Sequence, residues 1–267
     1  MLANDDLGNL GRLGNQMFQY AALRGLASKH GYEYCLPPRE VVSTRDPNVI
    51  NSDITMFECF KIPDAPRRIS NFQKVMESTF ALDENLWNNC TDNISLYGYF
   101  QTEKYFKHIE DKIRNDFTFK KSILSDCRLF YNEHFMDTEV ISLHVRRGDY
   151  LVNPNHPVQK VEYYKQGLVN FDEKLPVIVF SDDHKWCVQQ EIFSNDRFFI
   201  SQGEDSAVDL CIMSMCDYHI IANSSYSWWG AWLAKSKKVI APKEWFGGEL
   251  KYTKDTKDLY CDGWIIV

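Results

Sequence analysis

The 267-residue chain is long enough for one large domain or two smaller ones, and either arrangement can bury a hydrophobic core. Hydrophobic residues make up 44% and charged residues 25% of the chain, which is ordinary for a soluble globular protein. The formal net charge of −7 is spread evenly, with no basic tail or acidic block, so nucleic acids and anionic membranes are poor candidate partners.

The eight cysteines include no C-x-x-C pair and no Cys/His cluster with the spacing of a zinc site. The first residues, MLANDDLGNLG, lack the basic and apolar segments of a signal peptide. No run approaches the roughly 20 apolar residues that are needed to span a bilayer. We therefore expect reduced thiols in a cytoplasmic protein.

Three glycines precede a stretch rich in helix-forming residues in the segment GNLGRLGNQMFQYAALRGLA. Phe18, Ala22 and Leu26 are spaced by four residues, which predicts one shared helical face. A glycine-rich turn that leads into a helix exposes backbone N–H groups that suit a phosphate, although such turns are also common without a ligand. The preceding MLANDDL is a poor strand, so we expect no strand before the glycines.

Residues 36–70 hold five of the nine prolines and show little periodicity, which indicates loops and irregular structure. Between residues 94 and 135, ISLYGYF is strand-like and EKYFKHIEDKIRNDF is helical. We expect two or three elements of a smaller sheet in this part of the chain.

The chain becomes much more regular after about residue 138, because strands alternate with helices at short separation. Helices are predicted near 161–171, at 205–216 and from SWWGAWLA onward. Five strands are predicted: EVISLHV at 139–145, PVIVF at 176–180, RFFI at 197–200, YHIIA at 218–222 and, as the final strand, KVIAP at 238–242. This pattern predicts a parallel sheet with helical crossovers.

The change in regularity divides the chain into domains at residues 1–138 and 139–267. In parallel α/β sheets, ligands bind beyond the carboxyl ends of the strands. The motifs HVRRGDY, FSDD and NSSYS each follow a predicted strand, so we expect all three at this edge of the sheet.

Arg146 and Arg147 of HVRRGDY lie at the end of the first of these strands. Side chains alternate along a strand, so His144 and Arg146 would point to one face and Arg147 to the other. The planar guanidinium group binds phosphate oxygens in a bidentate manner, which indicates an anionic ligand. Neutralisation of the pair by Asp149 and other carboxylates is the alternative.

The segment NSSYSWWG places Ser224, Ser225 and Tyr226 where a buried strand is followed by a helix. Hydroxyl groups and unpaired N–H groups would converge there, and the helix dipole favours an anion. Ordinary helix capping by serine is the alternative. The tryptophans that follow are expected in the core.

Three aspartates are further candidates. Asp182 and Asp183 follow PVIVF, and adjacent carboxylates point apart, so capping of the next helix is favoured over a metal site. Asp209 lies beside the apolar stripe of the 205–216 helix, where most residues are solvated. Alternatively, its carboxylate would accept two N–H donors from a guanine edge.

Four motifs, GRLGNQMFQYA, HVRRGDY, FSDDHKWC and ANSSYSWWGAWL, occur in this order and cover both ends of the chain. Together they resemble the α-1,2-fucosyltransferase family, glycosyltransferase family 11, which belongs to a wider group with α-1,6-fucosyltransferases and protein O-fucosyltransferases. The resemblance implies an α/β, GT-B-like fold of two Rossmann-like domains facing a cleft, with a parallel sheet in the C-terminal one.

The resemblance also implies an inverting transfer of L-fucose from GDP-fucose to the 2-hydroxyl of a terminal β-galactoside, without a cofactor or divalent metal. Residues 1–138 would form the acceptor-side domain and residues 139–267 the GDP-fucose-binding domain. The implied partners are therefore GDP-fucose and a galactoside glycan.

Individual roles are carried over only where residues match the family motifs. Arg146 and Arg147 match the pair that holds the donor diphosphate, and His144 and Asp209 match groups that recognise the nucleotide and its guanine. The remaining matches are the phosphate-binding loop, at Ser224, Ser225 and Tyr226, and residues near fucose and the β-phosphate, at Arg12, Asn15 and Gln16.

The general base has no clear match. Members of the wider group have a carboxylate at the position that corresponds to Pro154 of this chain. Asp149 is the candidate base, and orientation of an arginine is its alternative role. Two other functions also stay open: a fucosyltransferase of another linkage, such as α-1,6, and a non-catalytic protein that binds nucleotide-sugars or glycans.

Overall fold

The computed structural model describes residues 1–42, 55–203 and 205–267. The chain forms an N-terminal unit, Met1–Lys120 with Lys254–Cys261, and a C-terminal unit, Lys121–Thr253 with Asp262–Val267. The first division therefore falls after residue 120, whereas the sequence pattern placed it after residue 138. Part of the predicted irregular segment 36–70 lies outside the described residues.

The N-terminal unit is built on a four-stranded parallel sheet with the strand order β2-β1-β4-β3. Its strands are β1 (Leu2–Ala3), β2 (Tyr34–Cys35), β3 (Gln73–Met76) and β4 (Ile94–Tyr97). Its described α-helices are α1 (Leu13–His30), α2 (Arg39–Val42), α3 (Met56–Cys59), α4 (Glu84–Asn89) and α5 (Glu110–Asp116), with 3₁₀ turns at Glu103–Tyr105 and Lys107–Ile109.

The expectation that no strand precedes the glycines is wrong. Leu2 and Ala3 form β1, which is buried and pairs with β2 on one side and β4 on the other. A two-residue strand is too short to show any alternation in the sequence, and its neighbours on both sides fix its position. The glycine-rich segment therefore lies between a strand and a helix, as in other parallel α/β units.

Helix α1 packs closely because of a glycine in its middle. A Cβ on Gly25 would lie 1.8 Å from the Tyr105 carbonyl oxygen, so any larger residue would separate these segments. On the same helix, the Tyr20 hydroxyl and Arg24 Nε each donate to Asp116 Oδ2 at 2.9 Å. These bonds satisfy the buried Asp116 carboxylate and tie α1 to α5.

The C-terminal unit is built on a six-stranded parallel sheet with the strand order β10-β9-β8-β5-β6-β7. Its strands are β5 (Ile141–Val145), β6 (Val177–Ser181), β7 (Phe198–Ile200), β8 (Tyr218–Ile220), β9 (Lys238–Ala241) and β10 (Ile265–Ile266). Its α-helices are α6 (Lys121–Phe135), α7 (Val161–Leu168), α8 (His184–Val188), α9 (Ser206–Met213), α10 (Ser225–Leu233) and α11 (Leu250–Thr253), with 3₁₀ turns at Gly148–Leu151 and Glu191–Phe193.

The predicted alternation of strands and helices is confirmed here, and the five predicted strands lie within two residues of their observed bounds. The last strand is β10 and not β9 as predicted, because Ile265–Ile266 pairs with β9 after the chain has returned from the N-terminal unit. Apolar side chains of β5, β6, β8 and β9 form a core with Tyr163 and Tyr164 of α7.

The C-terminal sheet has a topological switch point between β5 and β8. Strands β6 and β7 extend the sheet on one side of β5, and β8, β9 and β10 extend it on the other. Crevices at such switch points are where open α/β sheets bind ligands. Among the described residues, no helix is long and apolar enough to span a membrane.

Candidate active site

Three polar segments of the C-terminal unit lie at the carboxyl edge of its sheet. Arg146 and Arg147 follow β5, Asp182 and Asp183 follow β6, and residues 223–226 follow β8. Because β5 is the neighbour of both β6 and β8, these segments are brought together at the switch point. The sequence-based expectation that the three motifs share this edge is confirmed by the strand order.

Arg146 is held by two carboxylates. Its Nη1 lies 2.8 Å from Asp182 Oδ2, its Nη2 donates to Asp149, and its guanidinium carbon lies 5.2 Å from the centre of the Tyr150 ring. Gly148 permits this arrangement, since a Cβ there would lie 2.4 Å from Asp182 Oδ2. The ion pairs considered as an alternative in the sequence are therefore present.

Arg147 is fixed at both its backbone and its side chain. Its N–H donates to Asp182 Oδ1 (2.8 Å), and its Nε donates to Asp183 Oδ2 (3.0 Å). The guanidinium carbon also lies 4.1 Å from the centre of the Trp186 ring, as in a cation–π contact. Since the ion pair uses Nε and a guanidinium has five N–H donors, Arg147 can bind an anion while it stays paired.

Asp183 has the capping role that the sequence favoured. Its Oδ1 accepts from the Trp186 N–H (3.1 Å) at the start of α8, while its Oδ2 binds Arg147. Asp182 and Asp183 thus hold the arginine motif from the neighbouring strand, a function that the sequence analysis missed. The available signal was that two carboxylates and two arginines follow adjacent strands at one sheet edge.

His144 lies on β5 and is almost completely buried. Burial, together with the nearby Arg146 charge, lowers the pKa of His144 to about 3, so its ring is neutral at pH 7. Its Nδ1 has no hydrogen-bond partner within the described residues, and its ring centre lies 5.7 Å from that of Tyr226. A neutral imidazole can donate from one nitrogen and accept at the other.

Asp209, on α9, is not a solvated surface carboxylate. It accepts a hydrogen bond from Ser201 Oγ (2.7 Å), and burial raises the pKa of Asp209 to about 6 despite that bond. Tyr226 of α10 donates to the Ser206 carbonyl (2.5 Å) at the start of α9. This contact places Tyr226 between His144 and the first turn of the helix that carries Asp209.

Ser224 of NSSYS does not act as an ordinary cap. Ser224 is the N-cap residue of α10, in an extended conformation, but its side chain makes no capping hydrogen bond in this described segment. Its neighbour Asn223 is buried and donates from Nδ2 to the Pro157 carbonyl at 2.9 Å. The simple capping alternative for Ser224 is therefore wrong, whereas the tryptophans are confirmed as core, with Trp228 and Trp229 fully buried.

The glycine-rich motif belongs to the N-terminal unit. Arg12 is exposed at the N-cap of α1, and Asn15 Oδ1 accepts from Gln101 Nε2 at 2.7 Å. Gln16 is buried, and its Oε1 accepts from the Met56 N–H (3.1 Å) at the start of α3. Asn15 and Gln16 thus have structural partners at this turn, and the binding roles of all three residues stay predictions.

Comparisons with known proteins agree with the motif pattern. The family model described as "Glycosyl transferase family 11" matches residues 5–267. The O-antigen biosynthesis glycosyltransferase WbnK of Escherichia coli is 30% identical over 96% of this chain and 97% of its own length. An α-1,2-colitosyltransferase of Escherichia coli is 32% identical over 90% of this chain and 91% of its own length.

A mammalian relative and a solved structure extend the comparison. The galactoside α-(1,2)-fucosyltransferase 1 of Bos taurus is 27% identical over 84% of this chain and 64% of its own length. The fucosyltransferase NodZ from Bradyrhizobium has a TM-score of 0.58 at 14% identity, and the match covers 92% of this chain and 96% of NodZ. That likeness confirms the predicted α/β, GT-B-like fold. The family model and the two bacterial relatives together show that this chain belongs to glycosyl transferase family 11.

Proposed function

We propose that the protein is an inverting fucosyltransferase that moves L-fucose from GDP-fucose to the 2-hydroxyl of a terminal β-galactoside. The observation that carries this proposal is the arginine motif at the switch point of the C-terminal sheet, held in place by Asp182 and Asp183. The family to which the chain belongs supports glycosyl transfer, and the name of the bovine relative supports the fucose donor and galactoside acceptor.

The chemistry requires a site that stabilises a departing diphosphate. As the bond between fucose C1 and the phosphate oxygen breaks, positive charge develops on the sugar and additional negative charge on GDP. Arg146 and Arg147 would bind that charge in an orientation fixed before the reaction, which is where preorganised groups are most effective. Loss of one such contact removes about 3 kcal/mol of transition-state stabilisation, or roughly a hundredfold in rate.

The carboxylates around the arginines position them. Asp149 forms an ion pair with Arg146, which supports the orienting role over that of general base. Asp182 contacts both arginines, through the Arg146 side chain and the Arg147 backbone. A diphosphate would thus join or replace carboxylates that already lie against the guanidinium groups, so little reorganisation is needed on binding.

The nucleotide would be recognised beside the phosphates. Asp209, when ionised, can accept the two N–H donors of a guanine edge, and the neutral His144 ring can bind a ribose or phosphate oxygen as a donor. Ser224 and Ser225 would add hydroxyl donors at the start of α10, and Ser225 and Tyr226 would add their backbone N–H groups. We assign Arg12, Asn15 and Gln16 to the fucose side of the donor.

A second donor sugar is supported by a specific observation. The relative with 32% identity is named as an α-1,2-colitosyltransferase, and colitose is fucose without its 3-hydroxyl group. The same GDP-binding residues would serve both donors, so only contacts to the sugar would discriminate between them. The α-1,6 linkage named for NodZ carries no weight here, because that likeness concerns the fold alone.

Product analysis tests the proposal directly. The protein is incubated with GDP-fucose or GDP-colitose and a panel of terminal galactosides, and the linkage of each product is determined by NMR. We expect an α-1,2-linked fucosyl galactoside as the main product. Binding of GDP-fucose without its consumption by any acceptor would favour the non-catalytic alternative, and an α-1,6-linked product would reject the proposed linkage.

The same assay tests the metal requirement. We expect full turnover in excess chelator, because Asp182 and Asp183 are paired with arginines, and the described residues include no group of three or more His, Cys, Asp or Glu side chains that could hold a metal ion. If chelation stops turnover and a divalent cation restores it, this prediction is wrong.

A further inference from the structure

Glu77 lies directly after β3, at the carboxyl edge of the N-terminal sheet. Its N–H donates to the Tyr97 carbonyl (2.9 Å), which extends the pairing with β4 by one residue. Its Oε2 accepts from the backbone N–H of Tyr99 (2.9 Å), and the Phe100 N–H is shared between Oε2 (3.0 Å) and Oε1 (3.1 Å). Since Oε2 alone can hold both N–H groups, Oε1 can accept from a further donor.

The loop after β4 is shaped around this carboxylate. A Cβ on Gly98 would lie 2.5 Å from the Glu77 Cβ and 2.8 Å from its Oε2, so the close approach requires glycine. Phe100 has a φ of 53°, in the left-handed region that non-glycine residues rarely adopt. Both features indicate that the loop holds the Glu77 carboxylate in one defined position. An ordinary polar side chain on a loop surface would need neither of them.

The surroundings of Glu77 bring its pKa close to neutral pH. Burial raises the pKa of Glu77 to about 7, against the lowering effect of the two backbone N–H donors and of Lys254, while Asp83 adds to the increase. The Tyr105 hydroxyl also lies near enough to interact with it. A proton acceptor works best when its pKa lies close to the working pH.

The same loop offers a surface for a sugar ring. Tyr99 is 37% exposed, its ring centre lies 6.5 Å from that of Phe80, and Lys254 Nζ lies 6.0 Å from the Phe80 ring centre. The apolar face of an aromatic ring can stack on the apolar face of a sugar, while polar groups beside the ring can bind the sugar hydroxyls. The loop continues to Gln101, which donates to Asn15 of the glycine-rich motif.

We propose that Glu77 is the proton acceptor for the sugar hydroxyl that receives the transferred residue, and that the acceptor ring stacks on Tyr99. This inference rests on the proposed function. The acceptor hydroxyl oxygen forms a bond to fucose C1, and the bond from C1 to the β-phosphate oxygen breaks with its electron pair on GDP. The hydroxyl proton passes to the Glu77 carboxylate, which later releases it to solvent.

The variant Glu77→Gln separates proton transfer from support of the loop. The amide oxygen can still accept both backbone N–H groups at the position of Oε2, but it is not a base. We expect kcat to fall by about a hundredfold or more, which is the range for removal of a general base. The affinity for GDP, measured by calorimetry, should stay within twofold of wild type.

Stability and pH provide the second readout. The Glu77 pKa is raised in the folded protein, so ionisation destabilises the fold, and wild type loses this part of its stability as the pH rises from the ordinary glutamate range through about 7. At pH 8, Glu77→Gln should therefore melt no lower than wild type. In wild type kcat should fall as the pH drops through about 7, and the variant should lack this acidic limb.

Glu58→Gln is the matched control, because Glu58 Oε2 also accepts a backbone N–H, that of Thr55 at 2.6 Å, and its side chain is exposed. It should retain the wild-type kcat and the acidic limb. For Tyr99→Ala we expect an acceptor KM raised about tenfold and an unchanged KM for GDP-fucose.

The proposal is overturned if Glu77→Gln turns over within threefold of wild type, or if the wild-type kcat shows no ionisation near pH 7. The second criterion applies even if the variant fails to fold. A wild-type protein that transfers neither fucose nor colitose to any acceptor refutes the proposed function itself, and this outcome is distinct from either result above.

Discussion

The two sheet edges hold their charged side chains by different means. At the carboxyl edge of the C-terminal sheet, Arg146 and Arg147 are paired with aspartates. At the corresponding edge of the N-terminal sheet, Glu77 is held by neutral backbone donors and by burial. A cation that is paired with a carboxylate can bind a phosphate in addition to that carboxylate or in its place. A carboxylate held by neutral groups can instead change its charge by binding a proton. This difference fits the two proposed roles, which are anion binding at the C-terminal sheet edge and proton transfer at the N-terminal sheet edge.

Among the residues of the C-terminal sheet edge, the largest effect is expected at Arg146. Arg146→Ala should lower kcat/KM for GDP-fucose by about a hundredfold, because it would remove the proposed preorganised contact to the leaving group. Arg197→Ala is the control, since Arg197 directly precedes β7, at the sheet edge opposite the one that carries this motif, and its Nη1 donates to the Glu173 carbonyl (2.8 Å). Steady-state kinetics measures both variants. An Arg146→Ala enzyme within threefold of wild type would remove Arg146 from the donor site.

An intermediate effect is expected from Asp209, whose raised pKa of about 6 lies close to physiological pH. In the proposed role, the ionised Asp209 carboxylate would accept two guanine N–H donors, so GDP affinity should fall as the pH drops through about 6. Asp209→Asn should weaken GDP binding about tenfold at pH 7.5, in line with a lost charge-assisted hydrogen bond. Calorimetry at pH 5.5, 6.5 and 7.5 measures this dependence.

Inosine diphosphate sharpens this test, because it lacks the guanine 2-amino group. Wild type should prefer GDP over inosine diphosphate, and Asp209→Asn should lose most of that preference. An undiminished preference in the variant would assign guanine recognition to another residue.

The smallest effects are expected from the aspartates that position the arginines. Asp182→Asn should lower kcat several-fold, because Asp182 contacts both arginines and is only 25% exposed. Asp149→Asn should lower kcat by less, about twofold, because a pair with a 50% exposed carboxylate is weakened by solvent. If Asp149→Asn abolishes turnover and the acidic limb of the pH profile, Asp149 is the base and the role given to Glu77 fails.

The sequence was informative where strands are long enough to show a pattern. The buried strands β5 and β6 have five residues each, and apolar runs of that length bounded by polar residues were recognised. Strand β1, with two residues, was missed although it lies inside its sheet. The position of β1 depends on pairing with Tyr34–Cys35 and Ile94–Tyr97, which are distant in sequence. Such long-range pairing leaves no local signal.

The candidate site shows the same limit. The arginine pair and the cap at Asp183 were predicted, because strand ends and helix starts have local signatures. The double contact of Asp182 was not, since it depends on which strands become neighbours. The partial burial of Asp209 was not predicted either, since it depends on how helix α9 packs. Glu77 was also missed, because the loop that surrounds it follows a different strand.

The return of residues 254–261 to the N-terminal unit has a practical consequence for dissection of the protein. In that segment Asp258 binds Lys104 and accepts from the Leu82 N–H (3.1 Å), and the following Ile265–Ile266 completes the edge of the other sheet. A single cut after residue 120 would remove residues 254–261 from the N-terminal fragment. It would leave them in the C-terminal fragment, where they have no packing partners from their own unit. Separate expression of the halves calls for grafting residues 254–261 onto the first and bridging the gap they leave in the second.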